Sequence, residues 1–87
     1  MIIKKELVLR EVVGENVLVP SGTTVLTDNG LFMLNEVGCF IWKMLPQVSC
    51  AEEIVESLLG EYDIGQQQAQ EDVEKFLASL REYGIID

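Results

Sequence analysis

Any chemistry in this 87-residue chain would have to come from fifteen carboxylates, two cysteines and scattered hydroxyls, because it has no histidine. That absence removes the commonest general base and the commonest metal ligand. The acid pairs Glu52–Glu53 and Glu71–Asp72 fall on the polar faces of amphipathic segments, where solvation accounts for them. Cys39 and Cys50 match no metal-ligand spacing and are too few for a disulfide scaffold. Neither has a neighbouring cation in sequence to depress a thiol pKa, so both read as free, inert thiols. There is no G-x-S-x-G, no glycine-rich phosphate loop and no CxxC. The residues therefore argue against an enzyme and call for no cofactor and no metal.

Composition narrows the class further. A hydrophobic fraction of 48% supports one modest core, so a single domain over residues 1–87 is expected. The formal charge of −9 is uneven. Residues 1–34 carry three bases against four acids, whereas residues 35–87 carry three bases against eleven. Binding to phosphate backbones needs clustered positive charge, which argues against nucleic acid as a partner. The longest uncharged apolar run, Val37–Trp42, falls far short of the ~20 residues of a membrane span. Charges interrupt the apolar start "MIIKKELVLREVV", so no signal peptide is read and the cytoplasm is the expected location.

The elements that must position any site are strands first and helices after. "ELVLREVV" alternates, Gly14-Glu15-Asn16 offers a turn, and "NVLVP" follows. "TTVLT" could continue that ribbon, Asp28-Asn29-Gly30 marks a tight turn, and "LFML" forms a short last strand. At Asn35 the period changes. Asn35 caps a first helix that Pro46 stops, and Ser49-Cys50-Ala51-Glu52 fits a capping box for a second. Asp63 is a candidate cap for a third helix over about Gln66 to Glu82, with Gly84 placed as its C′ residue and Ile85-Ile86 as the apolar contact beyond it. The expectation is an α+β domain, a three-stranded antiparallel sheet followed by three helices.

Two surfaces stand out. "GLFML" carries neither charge nor proline, so at a sheet edge its backbone would be open to strand addition; pairing on both sides or a covering helix would close it. In the first helix, Val37, Phe40, Ile41, Met44 and Leu45 share one arc at about 100° per residue, while Trp42 projects off it and Cys39 lies near the opposite side. Trp42 either folds over the sheet or a neighbouring helix, or serves as a docking contact for a partner protein.

The run "LNEVGCFIWKML" resembles the PqqD-like family, whose L-N-x-x-G/A-x-x-x-W signature is matched by Leu34, Asn35, Gly38 and Trp42. The likeness continues through Ser49, Glu52, Ile54 and Tyr62-Asp63 to the closing "EDVEKFLASLREYGIID", and spans roughly Leu7 to Asp87. The resemblance implies a winged-helix-like domain that binds the leader segment of a ribosomally made precursor peptide. The peptide would add as a strand to the third β-strand, in a groove against the third helix, and be presented to a modifying enzyme, often of the radical S-adenosylmethionine class. Carried onto this chain, the strand contributes Leu31, Phe32 and Met33. On the third helix we favour the shoulder of Asp72, Ser79 and Tyr83 with Phe76, over the opposite shoulder of Gln70, Glu74 and Arg81. The family's longer charged loop after the second strand is not evident, since "TTVLTDNG" is compact; that favours a peptide pathway other than pyrroloquinoline quinone synthesis. The competing readings are a scaffold or regulatory domain that binds an enzyme through Trp42 and the first helix, and a DNA-binding winged helix, which the charge disfavours.

Overall fold

The computed structural model describes residues 1–5, 7–20 and 32–87. Three strands come first, β1 (Leu7–Val12), β2 (Glu15–Pro20) and β3 (Phe32–Leu34). Three helices follow, α1 (Glu36–Met44), α2 (Ala51–Glu61) and α3 (Gln66–Glu82), with a 3-10 turn at Leu45–Gln47 after α1. This is the βββααα order expected from the sequence. Both strand pairs are antiparallel and the sheet order is β1-β2-β3, which leaves β3 at an edge. The expected "TTVLT" ribbon and the Asp28-Asn29-Gly30 turn lie outside the described residues.

The β1–β2 turn falls one residue earlier than the sequence suggested. Val12 pairs with Glu15, so Val13-Gly14 is the two-residue connection, with φ of 51° and 78°. Positive φ at both positions is the type I′ geometry, whose twist matches that of the flanking strands. Gly14 adopts it freely, whereas the β-branched Val13 does so at a steric cost.

The sheet turns Leu18 and Leu34 into a core completed by Ile41, Leu45, Ile54, Leu58, Val73, Leu77 and Leu80. In α1 the buried residues are Gly38, Cys39, Ile41 and Trp42, with Leu45 just beyond. Val37, Phe40 and Met44 are only partly buried. The core-facing stripe is thus Gly38, Ile41, Trp42 and Leu45, rotated by about 80° from the arc that side-chain hydropathy picked out. A helix apolar nearly all round gives its period little power to say which side faces inward. Of the two readings of Trp42, the structure fits the one in which it folds over its neighbours: the residue is only 9% exposed and belongs to the core, as does Cys39.

Caps set where the helices begin and end. The Asn35 side chain accepts a hydrogen bond from the Gly38 N–H at 2.8 Å, as its position predicted. The expected Ser49–Glu52 capping box is displaced by one residue. Cys50 occupies the N-cap without a side-chain bond, and the Ser49 N–H donates to Glu53 Oε1 at 3.0 Å. Gly65, not Asp63, precedes α3. At the far end Gly84 has φ of 72°, its N–H donates to the Arg81 carbonyl, and the Ile85 N–H reaches back to the Leu80 carbonyl. Those bonds form a Schellman motif, which buries Ile85 and Ile86. No sequence pattern announced the partner of that end: Ile3 bridges Ile86, and the Lys4 N–H donates to the Ile85 carbonyl at 2.7 Å.

Candidate functional site

β3 is short and its register on β2 is defined by Asn16↔Leu34, Val17↔Met33 and Leu18↔Phe32. Its other side has no strand partner among the described residues. In an antiparallel pair, alternate residues direct their N–H and C=O away from the partner, so this edge presents donors and acceptors that no described strand pairs. Leu34 is buried in the core, and alternation puts Met33, 59% exposed, on the opposite face.

Where β3 runs into α1, the chain faces α3 across a cleft of about 270 Å³. One wall is Asn35, Val37, Gly38 and Ile41; the other is Asp72, Lys75, Phe76 and Ser79. Gly38 explains how close the walls come. A Cβ there would lie 3.2 Å from the Asn35 carboxamide oxygen and 3.3 Å from the Phe76 ring. A side chain there would need the cap of α1 or the aromatic wall to give by a few tenths of an ångström, so the G/A position of the signature suits a very small residue.

Of the residues expected in the site, Asp72, Phe76 and Ser79 come together on this wall. Asp72 also accepts a hydrogen bond from Gln68 Nε2 at 2.8 Å, which orients its carboxylate along α3. Phe32 and Met33 supply backbone at the neighbouring edge, and Leu31 lies outside the described residues. Tyr83 sits one turn further on, partly buried against the core and outside the cleft wall. The opposite shoulder divides: Gln70 and Glu74 line a second cleft against α2, and Arg81 donates to the Asp87 carbonyl at 2.9 Å.

Five lining residues were not singled out as contacts: Asn35, Val37, Gly38, Ile41 and Lys75. Asn35 and Gly38 were visible in the signature motif but read only as cap and junction. Lys75 lies one helical turn from both Asp72 and Ser79, a spacing that could have placed it on their shoulder. The wall therefore offers a carboxylate, an ammonium and a hydroxyl around an aromatic ring. Such a set recognises and orients a polar chain.

The thiols differ in setting. Burial pushes the Cys39 thiol up, against a smaller pull from Lys43 on the next turn of α1. That nearby cation corrects the sequence reading, and burial still favours the protonated form. Cys50 is exposed, with its Sγ 3.8 Å from a Glu53 carboxylate oxygen. No helix among the described residues is long and apolar enough to cross a membrane.

Residues 15–86 match the family described as coenzyme PQQ synthesis protein D (PqqD). Among solved structures, the chain is similar to TbiB1 in complex with the TbiA(beta) leader peptide. The two share 28% identity over all of this chain and 95% of that one, with a TM-score of 0.74. No curated protein matches.

Proposed function

This chain belongs to the PqqD family, and on that premise we propose that it is a non-catalytic chaperone for a ribosomally made precursor peptide. It binds the leader segment as an added strand on β3 and presents the remainder to a modifying enzyme, with the radical S-adenosylmethionine class as the first candidate. The observation that carries this reading is the edge of β3, without a strand partner among the described residues, next to the cleft walled by Asp72, Phe76 and Ser79. The similarity to TbiB1, a protein solved with a leader peptide, supports it.

The mechanism follows from what an edge strand offers. Main-chain hydrogen bonds to β3 supply affinity for any extended segment, and the alternate side chains of that segment face the cleft. There an apolar residue of the leader packs on Phe76, while a base pairs with Asp72 or an acid with Lys75. Ordering a disordered leader costs about 2–5 kcal/mol, so binding is tight only when those side-chain contacts are also made. That gives sequence selectivity to a backbone-based interaction. The shortness of the "TTVLTDNG" stretch leads us to favour a pathway other than pyrroloquinoline quinone synthesis, and on this reading a ribosomal precursor puts the work in the cytoplasm.

A titration of the isotopically labelled chain with the leader peptide of any precursor encoded near it tests the proposal. Amide shifts concentrated at Phe32–Asn35 and on the Asp72–Ser79 side of α3 are expected. Shifts that bypass β3 would refute the site, and a leader that leaves every amide unmoved would refute the function.

A further inference from the structure

On the far side of α3 lies a larger trough, about 480 Å³, between α2 and α3. We propose that this trough docks a lysine- or arginine-bearing amphipathic helix of the modifying enzyme; assigning the helix to that enzyme rests on the function proposed above. The floor is an apolar stripe, Ala51, Val55 and Leu59 at i, i+4 and i+8 of α2, joined by Val73 of α3. Leu59 is 37% exposed despite its apolar side chain. The rim carries Glu52, Glu56 and Glu74, and no lysine or arginine is among the lining residues. An occupant needs apolar knobs for the floor and positive charge for the rim.

Backbone chemistry selects a helix over a strand. The trough has no strand edge among the described residues, and beyond their first turns the main-chain groups of α2 and α3 are committed to their own helices. A segment lying there must satisfy its backbone internally, which a helix does and an extended peptide does not. The lining polar groups are flexible carboxylates and carboxamides at the rim, unlike the fixed, convergent donors that orient a small ligand.

The placement also suits simultaneous engagement. At about 100° per residue, Gln66, Gln70, Val73 and Glu74 lie about 150° around α3 from Asp72, Lys75, Phe76 and Ser79. A leader on β3 and a helix in the trough would occupy opposite sides of one helix without collision.

The test uses a synthetic amphipathic helical peptide with leucines on one face and lysines flanking them, and a counterpart with glutamates in place of the lysines. The lysine peptide should shift amides within 51–59 and 66–74, and the glutamate peptide should leave them unmoved. Glu52→Lys with Glu56→Lys should weaken the lysine peptide about tenfold. A control pair on the exposed hairpin, Glu11→Lys with Glu15→Lys, should change it by less than about twofold. Each pair adds four charges to −9, so both variants carry −5 and differ only in where the charge changed. Glu74→Lys, from the other wall, should weaken it about threefold and guards against misfolding of the α2 variant. Equal weakening by the two pairs, or shifts centred away from the trough, overturns the proposal. Leader titrations on the same variants separate the two readings. Retained leader binding with no trough response refutes the docking surface alone; a trough response with no leader binding refutes the chaperone function alone.

Discussion

On one side of α3 the opposing wall is the β3–α1 junction; on the other it is α2. The first cleft brings a sheet edge, a capping carboxamide, and one acid and one base on α3. The second brings an apolar stripe under three carboxylates and no edge. On the two proposals above, one helix serves two recognition modes because its residues alternate between two faces, and the opposing element decides the mode. A wall with free backbone groups suits an extended chain, whereas a wall of side chains suits a partner already folded.

Perturbing the shared wall should erase the distinction with the largest effect. Leu77 is 2% exposed at the core side of α3, so Leu77→Ala should cost about 2–5 kcal/mol in chemical denaturation and weaken both clefts together. If one cleft keeps full affinity, α3 does not couple them. Phe76→Ala should sharpen the contrast by lowering leader affinity by about 2 kcal/mol, roughly thirtyfold, while the lysine peptide is unaffected. Titration calorimetry against both peptides decides it. Asn35→Ala removes the cap of α1 at the first cleft and should cost about 1 kcal/mol, read as a lower unfolding midpoint.

The smallest effect is a pH dependence confined to the α1 wall. The folded-state pKa of Cys39 is raised by burial, so the neutral thiol contributes stability fully below its unfolded value. That contribution is lost as pH rises from the usual thiol range through the folded value. Alkylation at pH 8 should accordingly modify exposed Cys50 at the start of α2 well before Cys39. Equal rates would mean that α1 opens as readily as α2 frays.

Much of this arrangement was legible in the chain itself. Strand and helix order, the cap at Asn35, the span of α3 and the Gly84 end came from patterns that act locally, over three to five residues. So did the grouping of Asp72, Phe76 and Ser79, because spacing on one helix fixes which residues share a side. What escaped depended on the choice between equivalent neighbours or on distant contacts. The rotation of α1 toward Trp42 is set by what packs on it, since apolar side chains surround that helix. The Val13-Gly14 turn overrides the more turn-prone Gly14-Glu15-Asn16 because strand register fixes it. Glu53 displaced Glu52 at the start of α2 because both were available within one turn.

The pairing of Ile3 with Ile86 has a consequence for the order in which the protein assembles. It joins the most distant parts of the chain, and the entropy of closing so long a loop is lost before the contact returns anything. The bridge should therefore form after the rate-limiting barrier and be among the first contacts released. Ile86→Ala should then speed unfolding while leaving the folding rate nearly unchanged, a φ-value near zero. A slowed folding arm in the chevron would place the joining of the ends inside the nucleus instead.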